Sequence, residues 1–160
     1  MAGSRAHCGF TLVELLVTVV IVAILASAVF PMAKLNAQRA KEQELRKSLR
    51  EIREAIDAYK QAGDEGRILR KANESGYPPS LDILVKGVTD ARSPKEAKLY
   101  FLRRLPRDPL NEDDSLPPEK AWGVRSYESS PDDPREGKDV FDIYSLAPGT
   151  GLNGVAYRKW

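Results

Sequence analysis

The stretch CGFTLVELLVTVVI, residues 8–21, is almost wholly apolar yet carries one carboxylate, Glu14, near its start. From Leu12 to Phe30 the only polar side chains are Glu14, Thr18 and Ser27. At helical rise, Phe10 to Phe30 spans roughly 31 Å, about the hydrocarbon thickness of a bilayer. A charge inside that layer costs on the order of 2.5–3.5 kcal/mol, so an acid there has to have a use. A plain single-pass anchor gives it none. A secretory signal peptide is the second simple reading: Arg5 and the amino terminus form a basic region, and Ala26-Ser27-Ala28 offers a small-residue cleavage site. It would release a soluble binding module from Val29, and Glu14 again gains nothing. Cleavage between Gly9 and Phe10 behaves differently. It creates an α-amino group on Phe10, four residues from Glu14, the spacing at which groups on a helix meet. The acid then has a cationic partner, in its own chain or at the end of a neighbouring one.

Beyond this run the chain changes character. Everything after Lys34 is charged and rich in turn residues, so the 160 residues join one membrane-seeking segment to a water-soluble domain of single-domain size. Lysine and arginine number 25 against 23 acids, a net charge of +2. That balance leaves no concentrated basic face, and no nucleic-acid partner is expected. The single cysteine, Cys8, and the single histidine, His7, both precede the apolar run. A chain beginning at Phe10 would have neither. That excludes disulfides, zinc sites of Cys and His, Cys–His nucleophiles and Ser–His–Asp triads. One feature pulls the other way: Lys34, Arg39, Lys41, Arg46, Lys47 and Arg50 follow the span. Counted alone, they would hold the following domain in the cytoplasm. Long domains translocate largely regardless of charge, and Glu42 and Glu44 are interspersed, so the cleavage pattern outweighs the count.

Downstream, Leu45, Leu49, Ile52, Ile56 and Tyr59 recur at spacings of four and three, an apolar stripe along an amphipathic helix that ends near Gly63 and Gly66. Charges fill its other faces, with Glu42–Arg46 and Arg50–Glu54 at i,i+4. The stripe is short for a coiled-coil seam and is expected to pack on the chain's own sheet. Tyr77-Pro78-Pro79 reads as extended, Ser80 as the cap of a short helix through Val85, and Lys95 to Leu105 as a further helix before Pro106. Asn111 to Lys120 reads as an exposed loop. Strands are expected at Val124–Glu128, Val140–Leu146 and Val155–Trp160. The fold class is therefore α+β, a long amino-terminal helix packed on a small antiparallel sheet.

Gly9-Phe10-Thr11-Leu12-Val13-Glu14, running into Leu15, Leu16 and the apolar helix, resembles the processing signature of type IV prepilins and type II secretion pseudopilins. Gly76-Tyr77-Pro78, Leu105-Pro106-Arg107-Asp108-Pro109 and Phe141-Asp142-Ile143-Tyr144-Ser145-Leu146 are similar to segments of the major pseudopilins. The resemblance implies a pilin-like fold with four parts. Residues 1–9 are a leader that a prepilin peptidase removes after Gly9, methylating Phe10. Residues 10–31 are a transmembrane and assembly helix, 32–63 an amphipathic helix, and 64–160 a periplasmic globular domain. Glu14 would dock an incoming subunit on a neighbour's Phe10, and Pro31 stands where many members carry a helix-kinking proline. The implied protein is a single-pass structural subunit of the inner membrane, not an enzyme. Its partners would be itself and other pseudopilins in a periplasmic pseudopilus of a type II secretion system, the peptidase-methyltransferase, an inner-membrane assembly platform, and membrane lipid before assembly. A type IV pilus or DNA-uptake pilin is the alternative within the family.

The acids Asp108, Glu112, Asp113, Asp114, Asp132, Asp133, Asp139 and Asp142 suggest calcium by ligand type. Major pseudopilins carry calcium in the loop after the Tyr-Ser-Leu strand. Here that loop, Ala147 to Gly154, has no carboxylate, so calcium is disfavoured and no cofactor is expected. Gly149-x-Gly151-x-x-Gly154 has the spacing of a dinucleotide fingerprint but no following helix to receive a pyrophosphate, and reads as a turn. Cys8 precedes its apolar run, whereas a lipoprotein cysteine follows one.

Overall fold

In the computed structural model, residues 10–71, 73–111, 113 and 115–160 are described, those at 28–31 by backbone alone. The leader with Gly9, together with Glu112 and Asp114, lies outside the described residues. Helix α1 runs Leu12–Asp64, followed by α2 (Asp82–Lys86) and four short strands. These are β1 (Val88–Thr89), β2 (Lys98–Leu99), β3 (Trp122–Arg125) and β4 (Asp142–Ser145), with 3-10 turns at Pro118–Lys120 and Tyr157–Lys159. The chain divides into two compact units, one ending at Arg39 and one from Ala40 to Trp160. The α+β class with its long amino-terminal helix stands. α1 passes through Pro31; the proline ring is among the side chains outside the described set.

The apolar stripe of α1 is the spine of the second unit. Leu45, Leu49, Ile52, Ile56 and Tyr59 are all buried, and Ala55 and Ala62 extend the same face. Leu84, Leu102, Trp122, Val140, Ile143 and Tyr157 pack into the same cluster. Each large aliphatic side chain taken fully from water contributes roughly 1.5–3 kcal/mol, so this stripe is what fastens the helix to its domain. Past Asp64 the chain turns at Gly66, whose φ of 70° suits a residue without a Cβ.

Several local expectations give way. The sheet is two separate antiparallel pairs, β1 with β2 and β3 with β4. In the second, Trp122 faces Ser145 and Arg125 faces Asp142. The expected strand Val124–Glu128 starts two residues earlier and stops at Arg125, because the Ser126 N–H turns aside to the Arg135 carbonyl at 2.9 Å. Residues 155–160 form no strand. A single bridge joins Thr150 to Ala156, and the tail coils so that the Trp160 ring lies edge-on to Tyr157 at 5.2 Å. The expected helix Lys95–Leu105 is instead β2 plus irregular chain. The Leu84 carbonyl accepts the N–H groups of both Phe101 and Leu102 at 3.0 Å, and this tertiary pairing displaces local helical bonds. Finally, Ser80 does not cap α2. Leu81 holds that position without a side-chain bond, and Gly87 ends the helix.

Candidate functional site

Thr11 sets the start of α1. The Leu15 N–H donates to its carbonyl at 3.1 Å, and the Glu14 N–H donates to its Oγ1 at 3.2 Å. Thr11-x-x-Glu14 is the pattern of a capping box, a signal that a reading by charge and hydropathy passes over. The cap begins the helix two residues after Phe10 and puts Glu14 in the first turn, where a carboxylate is favoured by the helix dipole. Phe10 and Glu14 are thus held one turn apart by local chemistry alone.

The other polar side chains in this segment are satisfied internally. Thr18 donates to the Leu15 carbonyl at 2.9 Å and Ser27 to that of Ile24 at 2.7 Å. Among the described residues, nothing hydrogen-bonds to or pairs with the Glu14 carboxylate. Around it Phe10 is 78% and Leu12 79% exposed, and Val13, Leu15, Leu16, Ile21 and Leu25 are exposed too. A contiguous apolar surface of this kind needs lipid or another protein over it. Among the described residues, this is one helix long and apolar enough to cross a membrane. An anionic group on an apolar rod can bind a cation strongly when covered.

In the second unit the acids singled out from the sequence are dispersed and mostly used as structural acceptors. Asp108, 3% exposed, takes the Ser145 hydroxyl and the Leu110 N–H. Asp139 takes the Ser75 hydroxyl and the Tyr127 N–H. Asp142 receives Arg53 Nε at 2.7 Å, and the same guanidinium reaches the carbonyls of Ile143 and Trp160. Asp113 binds Ser115, whose hydroxyl and N–H hold its carboxyl below the ordinary range. Asp133 pairs with Arg135, and Asp132 is exposed. Among the described residues, no three His, Cys, Asp or Glu side chains converge as a metal would require.

Charged partners missed from the sequence do more. Glu42, expected on an exposed face, is 5% exposed. Its Oε1 accepts the Leu152 N–H at 2.9 Å and the Tyr157 hydroxyl at 3.0 Å. This carboxylate therefore ties the carboxylate-free loop after β4 to helix α1. Within that loop the Gly151 N–H donates to Val155 and the Val155 N–H to Asn153 Oδ1, while Gly149 and Gly154 take φ of 102° and 76°. The glycine pattern is a turn, as the lack of a following pyrophosphate-binding helix implied. Arg67 likewise closes on buried Asp90 at 2.7 Å; that guanidinium, with the Arg92 N–H, holds the Asp90 carboxyl below its usual range.

The three motif segments meet in this unit. The Pro78 carbonyl accepts the Val140 N–H at 2.8 Å, and Tyr77 lies edge-on to Phe141 at 4.9 Å. Pro106 accepts the Trp122 indole N–H at 2.9 Å, and Asp108 reaches Ser145. These segments serve the core.

Comparison with known proteins matches the same amino-terminal segment. Residues 4–30 match the model of the prokaryotic N-terminal methylation motif. The chain is 36% identical to the type II secretion system core protein G of Aeromonas hydrophila, over 95% of this chain and 87% of the relative. It is 34% identical to that of Klebsiella michiganensis, over 68% and 71% respectively. It is 32% identical to that of Vibrio cholerae serotype O1, over 91% and 84%. No solved structure matches the chain.

Proposed function

From the chain's membership of the type II secretion system core protein G family, we propose that it is a pseudopilin, a structural subunit that polymerises through its amino-terminal helix into a periplasmic pseudopilus for protein export. The observation that carries this reading is the methylation motif over residues 4–30, coupled to the exposed apolar first part of α1, whose one carboxylate lies a turn from Phe10. The subunit is made with a leader that a prepilin peptidase cuts between Gly9 and Phe10, after which the Phe10 amine is methylated. It then waits in the inner membrane, single-pass, with its soluble domain in the periplasm. Its partners are further copies, other pseudopilins, the peptidase-methyltransferase and the inner-membrane assembly platform.

Glu14 acts at the assembly step. Buried among the apolar helices of a filament, an unpaired carboxylate would be costly, and a neighbour's Phe10 amine satisfies it. Removing one partner of a buried charge pair costs about 3–5 kcal/mol, enough to stop subunit docking. The test compares the parent with Glu14→Leu by intact mass and by yield of sheared filaments. Both should begin at methylated Phe10, and only the parent should form filaments. A mature chain beginning at Val29 would establish the signal-peptide reading instead, and normal filaments from Glu14→Leu would remove the carboxylate from assembly.

A further inference from the structure

On the face of α1 opposite the buried stripe, Gln43, Lys47, Arg50, Glu54, Asp57 and Gln61 follow one another at spacings of four, three, four, three and four, and all six are exposed. They form a polar seam on one side of the helix. Its charge inverts midway: Lys47 and Arg50 are cationic, Glu54 and Asp57 anionic. Along the seam itself this order is unfavourable, although Glu44 and Glu51 lie beside Lys47, and Arg53 and Lys60 beside Asp57, off the seam. Lys47 repels Arg50 at i,i+3, Glu54 repels Asp57 likewise, and Arg50 before Glu54 is the weaker direction for an i,i+4 pair. Among the described residues, none of these four charges enters an ion pair. Yet the two halves are exactly one heptad apart, so each cation has an acid seven residues further on.

We propose that this seam is an interface with a second copy of the chain. A parallel neighbour displaced by one heptad, about 10 Å along the axis, brings Lys47 of one copy opposite Glu54 of the other and Arg50 opposite Asp57. The like-charge repulsion inside each chain becomes attraction between chains, and a neighbour in register, with no displacement, faces cation to cation and acid to acid. The seam therefore fixes axial stagger by favouring one displacement and opposing zero, which is how charge patterns set register in other helical assemblies. The inference rests on the filament reading above and adds to it which face meets which, and at what offset.

The experiment uses the full chain in its membrane, with sheared filaments and disulfide formation as separate readouts. The proposed processing removes Cys8, the chain's single cysteine, so introduced thiols have no competitor. A chain carrying both Arg50→Cys and Asp57→Cys should form a ladder of cross-linked copies. Its own two thiols sit about 10 Å apart on the helix, beyond the roughly 7 Å Cα limit for a disulfide. Chains with either cysteine alone should stay uncross-linked. Reversing one half, as Lys47→Glu with Arg50→Glu, should lower filament yield at least about tenfold, as should Glu54→Lys with Asp57→Lys. Combining all four reversals restores complementarity and should restore filaments. Full assembly by either half-reversed chain, failure of the fourfold reversal to recover, or equal cross-linking at Arg50→Cys alone would overturn the proposal while leaving the filament reading intact. A parent chain that forms no filaments would overturn both.

Discussion

Replacing Glu42 by alanine should loosen the domain at a polar tie on the margin of the apolar cluster, where Tyr157 lies. The carboxylate is 5% exposed and accepts two donors from the far end of the chain, the Leu152 N–H and the Tyr157 hydroxyl. A hydrogen bond to a charged group contributes about 1.5–3 kcal/mol. Leu152 is exposed, so water can replace part of its bond, whereas Tyr157 is buried and its hydroxyl cannot be resolvated as easily. The sum is about 3 kcal/mol. With an unfolding entropy of about 2.1 cal/mol/K per residue, a unit the size of Ala40–Trp160 loses roughly 12 °C of Tm. Circular dichroism melts of a fragment spanning residues 35–160 measure this directly. Glu42→Gln keeps an acceptor oxygen and should lose less than half as much. Tyr157→Phe alone should cost about 1 kcal/mol. Because both remove the same bond, the double variant should fall short of the sum by about 0.5 kcal/mol or more. A Glu42→Ala melt within about 2 °C of the parent, or strict additivity with Tyr157→Phe, would refute the claim that this carboxylate fastens the loop.

Asp90 makes the domain sensitive to acid. Its carboxyl is held below the unfolded value by Arg67 and the Arg92 N–H, so its stabilisation is full above about pH 4 and is lost as pH falls through the folded value. Asp90→Asn should lower Tm at pH 7 and flatten the decline between about pH 4 and 2; equal slopes for parent and variant would remove Asp90 from that decline. For calcium, EGTA should leave the melt of residues 35–160 unchanged. A site filled a hundredfold above its dissociation constant would add about 2.7 kcal/mol, and a loss of that size on chelation would show that the acids bind metal. Gly123 lies under the Tyr144 ring, where an added Cβ would overlap Tyr144 Cε2. Gly123→Ala should therefore destabilise the β3–β4 pair by about 1–3 kcal/mol, and an unchanged melt would mean the ring moves freely aside.

Long periodic signals were legible and short ones were not. The stripe Leu45 to Tyr59 is buried as its spacing predicts, because five apolar residues in phase leave one way to satisfy them. Leu99, Phe101, Leu102 and Leu105 suit a helix or a strand equally, and the choice fell to the Leu84 carbonyl, which no local pattern reveals. The tail Val155–Trp160 has strand composition, yet the Trp160 ring packs under the Arg46 guanidinium at 4.4 Å and curls the chain. The spacing of Phe10 and Glu14 was plain from sequence, while the Thr11 cap that fixes it needed the capping pattern to be sought. Glu42 was hidden for a simpler reason: a carboxylate among lysines and arginines reads as solvated unless its partners, some 110 residues on, are known.

Those long separations bear on how the domain comes to fold. Glu42 waits for Leu152 and Tyr157, and Arg53 for Asp142 and Trp160, separations of 89 to 115 residues. The stripe on α1 is synthesised first; Ile68, Leu81, Leu84 and Leu102 follow, and Trp122, Ile143 and Tyr157 come last to complete its cover. Closing loops of that length precedes any gain from the contacts they allow, which slows folding as sequence separation grows. The cover of the stripe is therefore incomplete until the last part of the chain is made. A nascent subunit truncated before Ile143 should stay protease-sensitive throughout, and its uncovered helix face would be open to holding chaperones until the final residues arrive.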